Sequence, residues 1–336
     1  MSHQARIAVL GAGSWGTALA SHLANNGHRV SLWGRDAEQL NAMAATGQNA
    51  RYLPDVPLPN TLRYEADVAR CVETSDAILL VTPSHIFGEM LRELVSIGAG
   101  AIPLIWACKG LERGSGRRLE TLATETLEAG VPNAIISGPT FARELVQGLP
   151  TAITVASRDL EFAGQVVQWL HSPTFRAYRS DDVTGVEIGG ALKNVFAIAA
   201  GISDGLGFGA NARAALINRA LVELMRLGVA MGGRRETFMG LAGMGDLVLT
   251  CTDDQSRNRR MGLALARGLS VEAALEEIGQ AVEGVGTAEE AMRLSRQYAI
   301  EMPIAEQVYA VLNEGKRPDV AVRDLLSRAP RDELAE

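Results

Sequence analysis

Residues 6–20 read Arg-Ile-Ala-Val-Leu-Gly-Ala-Gly-Ser-Trp-Gly-Thr-Ala-Leu-Ala, and the architecture of the chain follows from them. The apolar run before the first glycine predicts a buried strand, and the run after the third glycine has helical periodicity. Between them, Gly11, Gly13 and Gly16 have the G-x-G-x-x-G spacing of a dinucleotide site, in which a helix N-terminus faces the pyrophosphate. In such a site the first glycine permits a tight turn, the second lets the phosphates approach, and the third lets helix and strand pack closely. The motif predicts dinucleotide binding, with a purely structural glycine turn as the alternative.

Length and composition limit the class of protein. A chain of 336 residues with 47% hydrophobic and 21% charged residues is typical of a globular protein with two domains or one large one. The net charge of −7 argues against non-specific binding to nucleic acid or to an anionic membrane. No run approaches the length of a membrane span, and the N-terminus lacks the anatomy of a signal peptide. Three dispersed cysteines favour a reducing compartment over a disulfide framework or a metal site. We therefore expect a soluble cytoplasmic protein.

Apolar and helical segments alternate up to about residue 180. Alternation of this kind predicts a parallel sheet covered by helices on both faces, with ligands beyond the carboxyl ends of the strands. Three prolines between residues 54 and 59 indicate an extended loop. The expected strands are 7–10, 28–33, 77–81, 101–108, 134–137, 152–156 and 175–178, and the expected helices are 17–24, 36–46, 89–97 and 119–128.

The end of the second predicted strand bears on the choice of cofactor. An acidic residue at this position binds the ribose of NAD in many dinucleotide sites. Here the strand is followed by Gly34, Arg35 and Asp36. A small residue and a guanidinium leave room and charge for a 2′-phosphate, so we expect NADP(H) to be preferred, with NAD(H) possible. The alternative is a solvated Arg35, with Asp36 binding the ribose.

Two residues directly follow later strands of the predicted sheet. Lys109 follows the fourth strand and Gly138 follows the fifth, so both should lie at the edge where ligands bind. The alternative for Lys109 is a solvated loop charge.

The second half of the chain reads as all helical. Thr184 and Glu187 have the spacing of a capping box, which predicts the start of a helix. In the apolar stretch 186–202, Lys193 is the only formal charge beyond that cap, and Asn194 follows it. A helix apolar on nearly all sides is buried, and a buried ammonium needs a partner or a lowered pKa.

Two glycines precede this lysine by four and three residues. Gly189 and Gly190 therefore share its face of the helix, and we expect them to clear space for a ligand. A catalytic acid/base lysine is the hypothesis; a lysine that pairs structurally or reaches solvent is the alternative.

Two polar clusters follow. Asp246 comes after several glycines and before an apolar run, so an N-cap is its structural alternative. The run Ser256, Arg257 and Asn258 combines a fork of N–H donors with short polar groups, which suits a phosphate monoester; a solvated basic patch is the alternative.

Helix signals continue to the end of the chain. Residues 280–284 form a loop before a helix that we expect Thr287 and Glu290 to cap. Pro303 and Pro318 predict the first residues of two more helices.

Taken together, these segments resemble bacterial NAD(P)-dependent glycerol-3-phosphate dehydrogenases over nearly the whole chain. The resemblance implies an α/β fold with an N-terminal Rossmann domain (1–182), whose doubly wound sheet is mostly parallel. It also implies an all-helical C-terminal domain (183–336), as in folds of the 6-phosphogluconate dehydrogenase type. The motifs that carry the resemblance are Gly11–Ala18, Cys108–Gly110, Ser137–Glu144, Ala191–Asn194, Gly243–Asp246 and Ser256–Asn258.

The resemblance also implies roles for individual residues. Lys193 matches the proton acceptor, Asp246 would orient it, and Lys109 would stabilise the developing oxyanion together with Asn194. The implied cofactor contacts are Gly11, Gly13, Ser14, Trp15, Gly16, Arg35, Tyr52, Lys109, Ala142, Arg257, Ala281 and Glu283. The implied substrate contacts are Lys109, Gly138, Thr140, Lys193, Asn194, Asp246, Ser256, Arg257 and Asn258.

The implied activity is reduction of dihydroxyacetone phosphate to glycerol 3-phosphate for phospholipid synthesis. A related 3-hydroxyacid or 6-phosphogluconate-type dehydrogenase is an alternative enzyme, and a non-catalytic NADP(H)-binding redox sensor is an alternative of another class. The implied partners are the small-molecule substrates, without nucleic acid and without stable membrane insertion. A homodimer is the candidate assembly.

Overall fold

The strand that begins at Arg6 lies inside an eight-stranded sheet of the computed structural model, which describes residues 4–329. The strands are β1 (Arg6–Leu10), β2 (Arg29–Trp33), β3 (Gln48–Asn49), β4 (Leu53–Pro57), β5 (Arg63–Glu65), β6 (Ala77–Leu80), β7 (Leu104–Trp106), β8 (Asn133–Ser137), β9 (Thr151–Ala156) and β10 (Phe175–Ser180). The helices of this half are α1 (Ser14–Asn25), α2 (Ala37–Thr46), α3 (Val68–Val72), α4 (Phe87–Ser96), α5 (Leu119–Thr126), α6 (Ala142–Val146) and α7 (Leu160–Leu170).

The sheet has the strand order β10-β9-β8-β7-β6-β1-β2-β5. Every neighbouring pair is parallel except β8 and β9, which run antiparallel. The prediction of a mostly parallel, doubly wound sheet is therefore confirmed.

Alternate residues of β1 show why its sequence is continuously apolar. Ile7 and Val9 face one hydrophobic core, whereas Ala8 and Leu10 face another on the opposite side of the sheet. Because both faces are covered, no position along the strand favours a polar residue. Helices α1, α2, α6 and α7 contribute to the first core, and α3, α4 and α5 to the second.

The segment with three prolines is more ordered than an extended loop. It contains β4, which pairs antiparallel with β3, and it leads into the sheet-edge strand β5. The prolines are tolerated because this hairpin forms a separate two-stranded ribbon with free edges. Short α3 and α6 and the longer α7 were also missed by the hydrophobic periodicity.

After β10 the chain is helical as far as the structure describes it. The helices are α8 (Val183–Gly205), α9 (Gly209–Ala230), α10 (Arg235–Phe238), α11 (Asp246–Thr252), α12 (Arg257–Ala266), α13 (Val271–Ile278), α14 (Glu283–Tyr298), α15 (Pro303–Asn313) and α16 (Pro318–Leu326). Pro303 and Pro318 begin α15 and α16, as predicted. The change from strands to helices between Ser180 and Val183 supports the domain boundary at 182/183, which stays a prediction. The last seven residues of the predicted C-terminal domain, 330–336, lie outside the described residues.

Helix α8 forms the centre of the helical half. It packs against α9, α11, α12 and α14. By length and composition this helix could span a membrane, so the expectation that no run approaches that length was wrong. Its apolar window is fully buried by the surrounding helices, as expected of the core helix of a globular protein.

Neither predicted capping pair caps its helix. Asp182 caps α8 by accepting a 2.8 Å hydrogen bond from the Gly185 amide, and Thr184 lies inside the helix. Glu187 instead accepts the Glu120 amide at 3.0 Å, which ties α8 to α5 across the two halves. The capping spacing therefore predicted the correct helix, but the Glu187 carboxylate makes a long-range contact to α5 and does not cap α8.

The second capping prediction fails for a related reason. Helix α14 begins at Glu283, so Thr287 and Glu290 lie within it. The buried Glu290 carboxylate accepts the Gly114 amide at 2.7 Å and thus also connects the two halves.

Candidate active site

Two lysines from different parts of the chain share one buried carboxylate. Lys193 Nζ on α8 lies 2.5 Å from Asp246 Oδ1, and Lys109 Nζ, after β7, lies 2.6 Å from Asp246 Oδ2. Asp246 is fully buried and Lys193 is 6% exposed, whereas the Lys109 side chain is 16% exposed. The three groups bring α8, the start of α11 and the carboxyl edge of the sheet to one point. We call them the Lys–Asp–Lys cluster.

A short π-helical turn positions the acid of this cluster. The turn Leu241–Gly245 leads directly into α11, of which Asp246 is the first residue. Within the turn a Cβ at Gly243 would lie 2.1 Å from the Phe238 carbonyl oxygen, so only glycine fits. Asp246 is therefore not a helix cap, because both oxygens of its side chain bind lysines.

Thr250 completes the surroundings of Lys193, and the sequence analysis missed it. Its Oγ1 accepts a hydrogen bond from Lys193 Nζ at 2.8 Å and donates one to the Asp246 carbonyl at 2.6 Å. The signal was available, because Thr250 follows Asp246 by four residues and therefore shares its face of α11.

Burial lowers the pKa of the Lys193 ammonium to about 8. The positive charge of Lys109 lowers it further, while the Asp246 carboxylate opposes both effects. A lysine in this position can hold or release a proton near neutral pH, which general acid/base chemistry requires.

The glycines beside Lys193 do not clear space for a ligand, so this expectation was wrong. A Cβ at Gly189 would lie 2.6 Å from the Ala242 carbonyl oxygen, against the π-helical turn. A Cβ at Gly190 would lie 2.7 Å from Ser137 Oγ, at the end of β8. Both positions are filled by protein, and they let α8 approach the sheet closely enough for Lys193 to reach Asp246.

The carboxyl end of β8 fixes Lys109. Gly138 has φ 155°, and a Cβ there would lie 2.9 Å from Ile153 Cα. Its carbonyl oxygen accepts hydrogen bonds from Lys109 Nζ at 3.0 Å and from Thr140 Oγ1 at 3.4 Å. Lys109 is therefore held at the sheet edge and is not a freely solvated loop charge.

Two amide side chains next to the cluster have a fixed polarity. Asn258 Oδ1 accepts the Gly284 amide at 2.9 Å, so its Nδ2 faces Asn194 Oδ1, at 2.8 Å. The Nδ2 of Asn194 must then point away from Asn258, and it donates to the Lys109 carbonyl at 3.4 Å. Because a backbone N–H can only donate, Gly284 determines which end of the Asn194 amide faces the cluster.

The predicted phosphate-binding residues begin α12. Ser256 is its N-cap, and Ser256 Oγ accepts the Arg259 amide at 3.2 Å. Arg257 is exposed in the first turn, whereas Arg259 is buried and paired with Asp204. The exposed Arg257 is thus available to an anion near the buried Asn258, and the half-buried Arg260 follows in the same turn.

The glycine turn has the shape that a pyrophosphate requires. Gly11 has φ 129°, and a Cβ there would lie 2.6 Å from the Val81 carbonyl oxygen; one at Gly16 would lie 1.8 Å from the Gly11 carbonyl oxygen. A Cβ at Gly13 would meet nothing within 4 Å, so this side of the turn is open. Within the described residues, no side chain caps α1 and its first turn carries no acid, which leaves the helix N-terminus suited to an anion.

Other predicted cofactor residues lie around this turn and at the junction of the two halves. Ser14 Oγ donates to the Tyr52 carbonyl at 2.7 Å, which holds the β3–β4 hairpin against the turn. Glu283 accepts hydrogen bonds from the Ser84 amide at 3.1 Å and from Ser84 Oγ at 2.5 Å, and thereby joins α14 to the loop after β6. The remaining three are the half-buried Trp15 and Ala142 and the exposed Arg35.

One predicted residue is less well placed. Ala281 is exposed two residues before α14, and no side-chain contact connects it to the Lys–Asp–Lys cluster within residues 4–329. It remains a prediction.

Comparison with known proteins assigns both halves of the chain. Residues 6–163 match the family described as NAD-dependent glycerol-3-phosphate dehydrogenase N-terminus, and residues 182–323 match the corresponding C-terminus. The chain is 57% identical over 331 residues to a protein of Thioalkalivibrio sulfidiphilus named glycerol-3-phosphate dehydrogenase (NAD(P)+), covering 98% of this chain and 99% of that protein. It is 53% identical over 328 residues to the protein of the same name from Pseudoalteromonas translucida, covering 97% and 98% of the two chains.

A solved structure gives the same result. The crystal structure of glycerol-3-phosphate dehydrogenase from Coxiella burnetii superimposes with a TM-score of 0.93 at 46% sequence identity, covering 97% of this chain and 99% of that one. The chain therefore belongs to the NAD-dependent glycerol-3-phosphate dehydrogenase family.

Proposed function

We propose that this chain reduces dihydroxyacetone phosphate to sn-glycerol 3-phosphate, and catalyses the reverse oxidation, with NADP(H) or NAD(H). The observation that carries the proposal is the Lys–Asp–Lys cluster, which lies at the carboxyl edge of the same sheet that carries the glycine turn. Ligands of open α/β sheets bind at this edge, so a nucleotide at the turn and a small substrate at the cluster can meet there.

A bound nicotinamide cofactor would supply the hydride for reduction and accept it in oxidation. The protein contributes the cradle: the open face of Gly13 and the N-terminus of α1 suit the pyrophosphate. Ser14, Trp15 and Tyr52 would surround the adenosine half of the cofactor, whereas Ala142 and Glu283 would lie towards its other end.

Lys193 moves the proton. Two of its tetrahedral positions are occupied by hydrogen bonds to Asp246 Oδ1 and Thr250 Oγ1, at 2.5 and 2.8 Å. The third position remains for the substrate oxygen, either as an N–H that donates or as the lone pair that accepts. With a pKa near 8, Lys193 can serve as the acid in reduction and as the base in oxidation.

Charge that develops on the substrate oxygen needs donors. Lys109 is fixed by Asp246 and by the Gly138 carbonyl, and Asn194 presents its Nδ2 on the same side. Donors whose orientation is already fixed stabilise an oxyanion without having to reorganise. These two residues therefore support reduction of a ketone.

The phosphate of the substrate would be held at the start of α12. Arg257 supplies the guanidinium, and Ser256 and Asn258 lie beside it in the first turn. Thr140 lies two residues after Gly138, and its Oγ1 donates to the Gly138 carbonyl at the carboxyl end of β8. Fixing the phosphate places the carbonyl near Lys193, so binding energy from a non-reacting group serves catalysis.

Further aspects of the proposal rest on the family. We propose that NADP(H) is preferred, that the product enters phospholipid synthesis and that the enzyme works in the cytoplasm as a homodimer. The three described cysteines are buried and unpaired, which fits a reducing compartment.

The test is an absorbance assay of the purified protein with NADPH or NADH and a panel of substrates. We expect rapid oxidation of NADPH with dihydroxyacetone phosphate and little with other phosphorylated ketones, 3-hydroxyacids or 6-phosphogluconate. Turnover confined to the acids would indicate the related dehydrogenase class. Binding of NADPH without turnover of any substrate would indicate a sensor.

A further inference from the structure

The β3–β4 hairpin is fastened to the glycine turn by buried polar contacts. Asn49 is 1% exposed, and its Nδ2 donates to the Ala12 carbonyl at 3.0 Å and to Thr17 Oγ1 at 2.8 Å. The Tyr52 carbonyl accepts from Ser14 Oγ at 2.7 Å. The residues between these two anchors are therefore held beside the adenosine end of the proposed cofactor site.

One cation lies between the anchors. The Arg51 side chain is 63% exposed, and its Nη1 lies 3.5 Å from Asp36 Oδ2. Asp36 belongs to the short segment between β2 and α2. Its guanidinium carbon also lies 5.1 Å from the centre of the Tyr52 ring, within cation–π range. Asp36 therefore has two arginines next to it: Arg51, which contacts its side chain, and Arg35, which precedes it in the chain.

Asp36, the carboxylate that follows Arg35 after β2, already has partners within the protein. Asp36 Oδ1 caps α2 by accepting the Gln39 amide at 3.0 Å, and Oδ2 faces Arg51. A ribose diol that bound Asp36 would compete with Arg51 for Oδ2. This arrangement disfavours the alternative in which Asp36 binds the ribose of NAD.

We propose that Arg51 is a determinant of cofactor specificity, and that it binds the 2′-phosphate of NADP(H) together with Arg35. The inference rests on the proposed function. Asp36 acts here as a positioning residue, because it holds the Arg51 side chain at the end of β2. A phosphate monoester carries up to two negative charges and accepts several hydrogen bonds, so two guanidinium groups bind it better than one.

The test measures binding without turnover. Isothermal titration calorimetry of the full chain compares 2′,5′-ADP with AMP, which differ only in the 2′-phosphate. In Arg51→Gln we expect the affinity for 2′,5′-ADP to fall about 10-fold or more, while the affinity for AMP changes less than about twofold. Arg51→Lys, which keeps the charge and loses the fork, should lie between wild type and Arg51→Gln.

Arg29→Gln is the matched control. Arg29 is also exposed and also belongs to β2, but it begins the strand at the opposite edge of the sheet. Its replacement should change neither affinity. Thermal unfolding of each variant shows whether the hairpin remains folded.

The outcomes separate this inference from the proposed function. An Arg51→Gln chain that keeps wild-type affinity for 2′,5′-ADP, or that loses affinity for both nucleotides equally, overturns the role of Arg51. The proposed function is tested separately, by assaying the reduction of dihydroxyacetone phosphate with wild type and with Arg29→Gln. If both proteins turn over this substrate, the proposed function holds whatever the Arg51→Gln titrations show.

Discussion

Lys193 Nζ lies 2.8 Å from Thr250 Oγ1, and the hydroxyl cannot donate back, because its proton is used in a 2.6 Å bond to the Asp246 carbonyl. Thr250 therefore always accepts from Lys193, whether the lysine is charged or neutral. One N–H of the amine is thereby fixed, and the free position of Lys193 keeps the same direction throughout the reaction.

Replacing this hydroxyl should impair catalysis more than binding. In Thr250→Val, which has nearly the same shape, Lys193 loses an acceptor, and we expect kcat to fall about 10-fold with little change in KM. Thr250→Ser keeps the hydroxyl and should remain within about threefold of wild type. Steady-state kinetics with both variants measures this, and a wild-type kcat in Thr250→Val would contradict the role.

The pH dependence should have opposite signs in the two directions. Because burial lowers the pKa of Lys193 to about 8, the ammonium that reduction needs is lost as the pH rises through that value. The neutral amine that oxidation needs is gained over the same interval. Thus kcat/KM for dihydroxyacetone phosphate should fall above about pH 8, and kcat/KM for glycerol 3-phosphate should rise towards it. Two profiles that change in the same direction would argue against a single acid/base lysine.

The polarity of Asn194 should depend on its neighbour. In Asn258→Asp the new carboxylate can still accept the Gly284 amide, but it cannot donate to Asn194 Oδ1. Asn194 should then turn its Nδ2 towards position 258 and withdraw it from the cluster, lowering kcat by about 10-fold or more. If instead only the KM for the phosphorylated substrate rises, the added negative charge repels the phosphate and Asn258 does not position Asn194.

Arg257 should act mainly on the phosphate. We expect Arg257→Ala to lower kcat/KM for dihydroxyacetone phosphate about 100-fold, chiefly through KM, because a charge-assisted interaction is lost. Arg267→Ala provides a control, since Arg267 is an exposed arginine at the far end of α12 that pairs with Glu277. Unchanged kcat/KM in Arg257→Ala would remove this residue from the substrate site.

Local signals were enough to predict much of the fold. The strand, the glycine turn and α1 depend on residues close in the chain, and α8 could be recognised as buried because its sequence is apolar on nearly all sides. Predictions failed where the decisive contact is distant. Gly189 and Gly190 share a face with Lys193, but only the packed structure shows that the π-helical turn and β8 fill that face.

Contacts that are distant in the chain also explain the errors at the helix caps and at the β3–β4 hairpin. Glu187 has capping spacing within its helix, yet its carboxylate binds the Glu120 amide on α5. The hairpin at β3 and β4 is defined by Asn49 contacts to the glycine turn, which no local pattern shows. Thr250 is the exception, because its spacing of four residues from Asp246 places both on one face of a helix and can be recognised in the sequence.

The most direct test of the account is the turnover of Lys193→Ala. The account predicts that kcat falls by about 10³-fold or more, whereas the dissociation constant for NADPH, measured by fluorescence titration, stays within about twofold of wild type. A Lys193→Ala enzyme that binds NADPH and retains near-wild-type kcat would contradict the assignment of Lys193 as the group that moves the proton.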